Sequence, residues 1–226
     1  MAVSRLIQNS SFVGRSTGIS AGLAPLSILS DASGELLFQV LRKPDKSFPQ
    51  RRPDGHGGWH WNTKGVRKVL YRLPEVIEAI ANGQRVVIVE GEKDRDRMWS
   101  IGIPATCNPG GASKTGQKTK WRAEYTETLR GADIVVIGDH DAAGAAHAHS
   151  IAQASVGIAK RVRVLHLVEH WPQCPRGGDV SDYLDAGHTR EEQAERVVAD
   201  LEAKCARLIT AEISALGEHV AAAHCA

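Results

Sequence analysis

No stretch of this chain approaches the roughly 20 consecutive apolar residues that a membrane-spanning helix needs. A soluble, cytoplasmic protein with no membrane partner is therefore expected. Cysteine is scarce. Cys107, Cys174, Cys205 and Cys225 are widely scattered, with no Cys-x-x-Cys pair, which excludes a zinc site built by spacing and gives no disulfide framework of the secreted kind. Reduced thiols are the plain reading. A Gly-x-x-x-x-Gly-Lys-Ser/Thr motif is absent too, so the chain carries no P-loop motor. Net charge is only +2 over 226 residues, and any basic surface must be local. Before Asp31 there is no acidic residue, and Arg5, Arg15 and many serines superficially match a transit peptide. That stretch has no continuous apolar core and no small-residue cleavage pattern. A flexible leader over residues 1–33, or the remnant of a longer parent protein, is expected there.

The 42% apolar share and 22 glycines suit an α/β globular protein, and the length allows one good core, or a core with a smaller companion. Two acidic motifs dominate the pattern. The first is Arg85-Val86-Val87-Ile88-Val89-Glu90-Gly91-Glu92-Lys93-Asp94, and the second is Asp133-Ile134-Val135-Val136-Ile137-Gly138-Asp139-His140-Asp141-Ala142-Ala143-Gly144. Each is a short β-branched run that ends in carboxylates and passes at once into a helical pattern. Ligands of open α/β sheets collect at the carboxyl ends of the strands. Glu90, Asp139 and Asp141 should converge there if the two strands are neighbours. Ionised carboxylates in such a group repel one another by about 4 kcal/mol per close pair at an effective dielectric of about 20. A hard divalent cation with oxygen ligands is the usual answer. Glu90, among other carboxylates, should have a raised pKa suited to general acid/base work.

These motifs resemble the Toprim domain, the metal-binding catalytic module of primases, topoisomerases and some nucleases. The family's Glu-Gly pair is matched by Glu90-Gly91, and its Asp-x-Asp-x-x-Gly by Asp139 to Gly144. The resemblance covers Arg85 to Asp185. It implies a Rossmann-like parallel sheet flanked by helices, with Glu90 as acid/base and Asp139 and Asp141 holding Mg²⁺ or Mn²⁺. Asp94 matches the acid of the primase-type Glu-Gly-x-x-Asp, with interaction at a helix N-terminus as the alternative to a metal role. Asp179 and Asp182 resemble the primases' Asp-Pro-Asp stretch with one extra residue, which leaves open which of them faces the metals; Asp179 is the candidate ligand. A helix cap is the alternative for both.

The block before Arg85 is similar to the segment preceding the Toprim domain in phage and plasmid primase-helicase proteins, in its Leu70-Tyr71-Arg72-Leu73-Pro74 stretch. The resemblance implies primase-like nucleotidyl transfer on single-stranded DNA with nucleoside triphosphates, in mobile-element or phage-type replication, with a replicative helicase as partner. A metal-dependent nuclease and a non-catalytic nucleic-acid-binding fragment are the alternatives. A phosphoaspartate enzyme fits less well, because its first strand should end in Asp-x-Asp. No zinc-binding module is expected before the block, and no topoisomerase tyrosine is recognisable.

The chain then divides into the leader, a basic β-rich segment over 34–84 closed by a helix, the α/β domain over 85–188, and a C-terminal helical segment over 189–226. Strands are expected at Glu35–Val40, Gly57–Trp61, Arg67–Tyr71, Ile103–Thr106 and Arg161–Leu167, besides the two motif strands. Helices are expected from Leu73 to about Ala81, with Pro74 near its first position, and over Asp94–Ser100, Trp121–Leu129 and Ala143–Val156. The prolines between Arg42 and Gly55 are read as turns. Between Glu35 and Arg72 basic residues outnumber acidic ones by nine to three. Lys46, Arg51 and Arg52 are candidate contacts to nucleic-acid phosphates, and Trp59 and Trp61 are expected to pack on the core. Lys114, Lys118 and Lys120, with Arg122, form a second cluster that either covers bound phosphate or is simply solvated. At least two of His140, His147 and His149 are expected to face outward, none as a ligand.

Overall fold

Val86-Val87-Ile88-Val89 and Ile134-Val135-Val136-Ile137 offer no polar residue to turn towards water. Strands of this kind must be covered on both faces, as in a parallel sheet between helices. The structure, a computed structural model, describes residues 25–188 apart from Lys46 and Thr115. The residues expected to form the C-terminal helical segment, Cys205 and Cys225 among them, and most of the leader lie outside the described residues.

The described elements run β1 (Pro25–Ser30), β2 (Leu36–Leu41), β3 (Gln50–Pro53), β4 (Trp59–His60), α1 (Leu73–Ala81), β5 (Val86–Ile88), α2 (Glu92–Ser100), β6 (Ala105–Thr106), α3 (Ala123–Thr128), β7 (Asp133–Gly138), α4 (Ala142–Ser155), β8 (Arg161–His166), α5 (Leu167–His170) and α6 (Val180–Tyr183), before a final turn at Leu184–His188. They make two sheets. One is antiparallel in the order β1-β2-β3-β4; the other has the order β6-β5-β7-β8 and is parallel throughout.

The alternation along β5 and β7 splits the interior in two. Val87, Val89, Val135 and Ile137 face a core shared with Met98 of α2, Val180 and Tyr183 of α6, and Leu29, Phe38 and Val40 of the antiparallel sheet. Val86, Ile88, Ile134 and Val136 face the other side, against Val76 of α1, Leu129 just beyond α3, and Ala148 and Ile151 of α4. The antiparallel sheet thus acts as part of the covering layer. After β5 the chain crosses to β6 on one side and then returns past β5 to β7. Right-handed crossovers in opposite directions put α2 on one face and α3 and α4 on the other. The carboxyl ends of β5 and β7 therefore flank a topological switch point, where doubly wound sheets open a crevice.

Three expectations need correction. β1 lies inside the expected flexible leader. Ser27 and Leu29 are buried while Ile28 between them is exposed, a half-buried strand pattern, and the Ser27 hydroxyl donates to Glu92 Oε1 at 2.9 Å. β3 forms within the proline-rich stretch read as turns, because Pro53 lies beyond the residues that pair with β2 (Arg51 with Gln39, Gln50 with Val40) and so sits at an edge on that side, where a missing N–H is tolerated. Arg67–Tyr71 is not a strand. Its neighbour β6 is only two residues long, so the segment is held by the Tyr71 N–H donating to the Cys107 carbonyl at 2.9 Å and by the Thr106 hydroxyl donating to the Tyr71 carbonyl at 2.9 Å. Arg72, at φ 50°, then turns the chain into α1.

Cys107 and Cys174 are buried and free, as expected of reduced thiols. Among the described residues no helix is long and apolar enough to cross a membrane.

Candidate functional site

The crevice at the switch point is acidic. β5 and β7 pair in parallel with Val86 opposite Ile134 and Ile88 opposite Val136. Val89 extends the first strand by donating to the Thr106 carbonyl at 3.0 Å, which places Glu90 at its end, as Asp139 stands at the end of β7. Glu90 is half-buried. Its pKa is raised, first by burial and then by the charges of Asp141 and Asp94, against a hydrogen bond from the Ala112 N–H. One of its oxygens, Oε2, is buried without a hydrogen-bond partner. Asp139 is pushed up to about 8, chiefly by burial and then by Glu90, Asp94, Asp179 and Asp141 in that order. The five candidate carboxylates therefore share one electrostatic environment.

Asp141 and Asp94 each have one oxygen committed to local structure, and Asp179 has both. Asp141 caps α4, its Oδ1 accepting from the Gly144 N–H at 2.7 Å. Asp94, buried in the first turn of α2, accepts from the Ser181 hydroxyl at 2.5 Å; burial raises its pKa, and Asp179 adds to that. Asp179 caps α6 in a reciprocal pair with Asp182 and accepts from Lys93 Nζ at 2.6 Å. Of those two aspartates, Asp179 is the one whose charge raises Asp139. Among the described residues no three His, Cys, Asp or Glu side chains are already set as ligands around one point. The donors are nonetheless all hard oxygens with excess negative charge and one orphaned buried atom, the chemistry that suits Mg²⁺ or Mn²⁺.

Glycines bring the backbone close enough. A Cβ on Gly138 would collide with the Gly144 carbonyl oxygen, and one on Gly144 would lie 2.5 Å from that of Asp139. The last glycine of the Asp-x-Asp-x-x-Gly motif thus lets α4 start directly against the end of β7. Opposite, Gly111 adopts φ 54°, and a Cβ there would come within 3.0 Å of the Glu90 carbonyl oxygen.

Two features beside the carboxylates were not anticipated. A recess of about 380 Å³ is lined by Asp139, His140, Asp141, His166 and Arg176. Its outer wall is latched by His140, whose N–H donates to the Gly178 carbonyl and whose carbonyl accepts from the Gly177 N–H, both at 2.8 Å. The His140 ring joins the same latch, its Nδ1 lying 3.1 Å from the carbonyls of Cys174 and Pro175. The second feature is the loop after β6. Asn108 and His147 are buried and bonded to each other at 2.9 Å, Asn108 Nδ2 donates to the Gly111 carbonyl at 3.0 Å, and Lys120 Nζ donates to the carbonyls of Gly110 at 2.6 Å and Ala112 at 2.9 Å. An Asn-Pro-Gly-Gly turn is legible in the sequence, but its burial is not. His149 is exposed and His147 is not, because each residue step on α4 turns a side chain by about 100°.

The basic candidates separate. Lys46 lies outside the described residues. The Arg51 guanidinium stacks 4.0 Å over the Trp59 ring and 5.7 Å from that of Trp61, while its Nε donates to Gln39 Oε1 at 2.9 Å. Arg52 sits opposite His60 in the β3–β4 ladder. Trp61 is 54% exposed, so the expectation that it packs on the core is overturned: it belongs to a surface stack on Arg51. Lys114 and Lys118 are exposed, and Lys120 is tied to the loop beside Glu90.

No protein-family model and no curated relative matches the chain. Solved structures do. The Aquifex aeolicus primase, zinc-binding and RNA polymerase domains, superposes with a TM-score of 0.53 at 21% identity, over 79% of this chain and 39% of that one. The primase fragment of the bacteriophage T7 primase-helicase gives 0.45 at 20% identity, over 74% and 61%. The RNA polymerase domain of the Mycobacterium tuberculosis primase gives 0.42 at 20% identity, over 70% and 48%. The likeness to the Aquifex protein is one of fold, and this chain spans well under half of its length.

Proposed function

We propose that the chain is a primase-like nucleotidyltransferase of the Toprim kind, joining nucleoside triphosphates on a single-stranded DNA template with Mg²⁺ or Mn²⁺ as cofactor. The carrying observation is the set of mutually repelling carboxylates at the switch point between β5 and β7, with Asp139 pushed up to about 8. Asp139 and Asp141 would hold the cation, with Asp94 and Asp179 completing the oxygen set. Bound there, magnesium supplies charge neutralisation and orientation of the phosphates. Glu90, its pKa raised by burial and by Asp141, accepts the proton of the attacking ribose hydroxyl as the new phosphodiester forms and pyrophosphate leaves. Lys93 balances Asp179 and keeps α2 and α6 together at the mouth of the site. Positioning provides much of the acceleration in phosphoryl transfer, so activity should rise when a helicase or template-holding partner is supplied.

The test supplies labelled ribonucleotides, single-stranded DNA and each metal, with and without a helicase, and follows extended primers and cut template separately. Extended products lost in Glu90→Gln, by a factor of about 10²–10⁴, support the reading. Cut template lost in the same variant would make the protein a nuclease, with water in place of the hydroxyl. Neither product under any condition would leave a non-catalytic binding module.

A further inference from the structure

We propose that His147 and Asn108 are positioning residues, which hold the 110–112 loop and through it the Glu90 carboxylate. The inference rests on the catalytic reading of Glu90. The Gly111 carbonyl can only accept, so the Asn108 amide must turn its Nδ2 towards it and leave Oδ1 facing His147. His147 Nε2 is therefore the protonated nitrogen, and Nδ1 is bare, buried and without a hydrogen-bond partner. Burial depresses the imidazole to about 4, which keeps this single-proton form at neutral pH. Trp121 closes the ring's other side edge-on, at 6.4 Å between centroids.

The chain of contacts runs from α4 through His147 and Asn108 to Gly111, which is packed so closely on Glu90 that a Cβ there would lie 3.0 Å from the Glu90 carbonyl oxygen and 3.4 Å from its Cγ, with the Ala112 N–H directed at the same carboxylate. Lys120 fastens the outside of the same loop by two carbonyls. The helix that carries Asp141 at its N-cap thus also sets the loop that holds Glu90, and the two acidic motifs share one support. A loop free to move at Gly110-Gly111 would let the Glu90 carboxylate swing out of line with the attacking hydroxyl, and misplacement on the scale of an ångström costs about 10²-fold in rate.

The experiment uses the full chain and compares His147→Leu, His147→Gln and Asn108→Asp. The glutamine amide can still donate to Asn108 Oδ1; leucine cannot. Asn108→Asp keeps the shape but removes the donor to Gly111. The expected result is a fall in kcat of about 10²-fold in His147→Leu and Asn108→Asp, with nucleotide KM unchanged, and recovery in His147→Gln. A second readout needs no turnover. The Ala112 amide resonance should move when Glu90→Gln is made in the wild-type background, and should not respond in the His147→Leu background. Should His147→Leu fail to fold, Asn108→Asp carries the same two readouts. Unchanged kcat together with an intact Ala112 response in the variants would overturn the proposal and leave His147 as a packing residue. If Glu90→Gln leaves turnover untouched in the wild type, the catalytic reading falls instead, while the amide response still decides whether the loop is held from α4.

Discussion

The two ends of the parallel sheet handle charge in opposite ways. At the amino end, Asp133 is ringed by Arg163 at 3.2 Å, Arg161 at 3.6 Å and Arg85 at 3.7 Å. At the carboxyl end, Glu90, Asp94, Asp139, Asp141 and Asp179 gather with Lys93 as a direct ion-pair partner of Asp94 and Asp179, and Lys120 is spread over a loop. The first arrangement is what stability asks of a half-buried carboxylate. In the second, burial and like charge add instead of cancelling, so the fold carries a local cost that a bound cation would remove. Perturbed groups of this kind concentrate at functional sites.

The comparison is most exposed to failure at Asp133. Asp133→Asn should destabilise the protein by about 2 kcal/mol, since it removes the anion that three guanidinium groups share; the full penalty of a broken buried pair is reduced by partial exposure. Urea unfolding measures it, and a neutral substitution would erase the contrast between the ends. Gly144→Ala comes next. Its Cβ would meet Asp139 backbone atoms at 2.5 and 2.6 Å, so a loss of about 1–3 kcal/mol is expected, with reduced Mg²⁺ response because α4 is pushed away from β7. Gly102→Ala, at φ +81° in open space, controls for backbone strain alone, at about 1 kcal/mol.

Asp139→Asn should have the opposite sign to Asp133→Asn in metal-free protein. The folded state binds the Asp139 proton more tightly than the unfolded chain does. Stability is therefore present at low pH and is lost as pH rises from 3.8 towards about 8. The substitution removes that slope and stabilises the metal-free protein at the upper end of the window. Added Mg²⁺ should raise the Tm of the wild type but not of the Asp139→Asn/Asp141→Asn double variant; equal shifts in both would place the cation elsewhere. The smallest effect concerns the outlying cations. Replacing Lys114 and Lys118 together by Ala should flatten the log–log salt slope of single-strand binding by about 1.4, at about 0.7 per phosphate contact. Arg51→Ala should flatten that slope by less than the lysine pair does, because it removes a single charge, whose Nε is already bonded to Gln39 Oε1. A slope that depends on Arg51 and not on the lysines would reverse the assignment.

Much of this arrangement is written in local pattern. Uninterrupted β-branched runs ending in Glu90 and Asp139 announce parallel strands with acids at their carboxyl ends, since residues of that kind are stable only when covered on both faces. Gly144, three residues beyond Asp141, marks a helix that starts against a strand. These signals are carried by period and by side-chain type. The antiparallel sheet is less legible. β1 has its pattern in serine and leucine, β3 sits among prolines, and Arg67–Tyr71 has strand-like composition but only a two-residue neighbour to pair with.

Local pattern specifies that acidic strand ends exist, in which order they occur and which glycines relieve the crowding around them, because backbone sterics and strand alternation are properties of a few consecutive residues. What those residues meet is set by long-range packing. Strand order made Glu90 and Asp139 neighbours across a switch point, the turn of α4 sent His147 inward to Asn108, and β3 beside β4 brought Arg51 onto two indoles. These contacts join separate segments of the chain, and their identity depends on register and on the direction of a helix face, which no local pattern specifies.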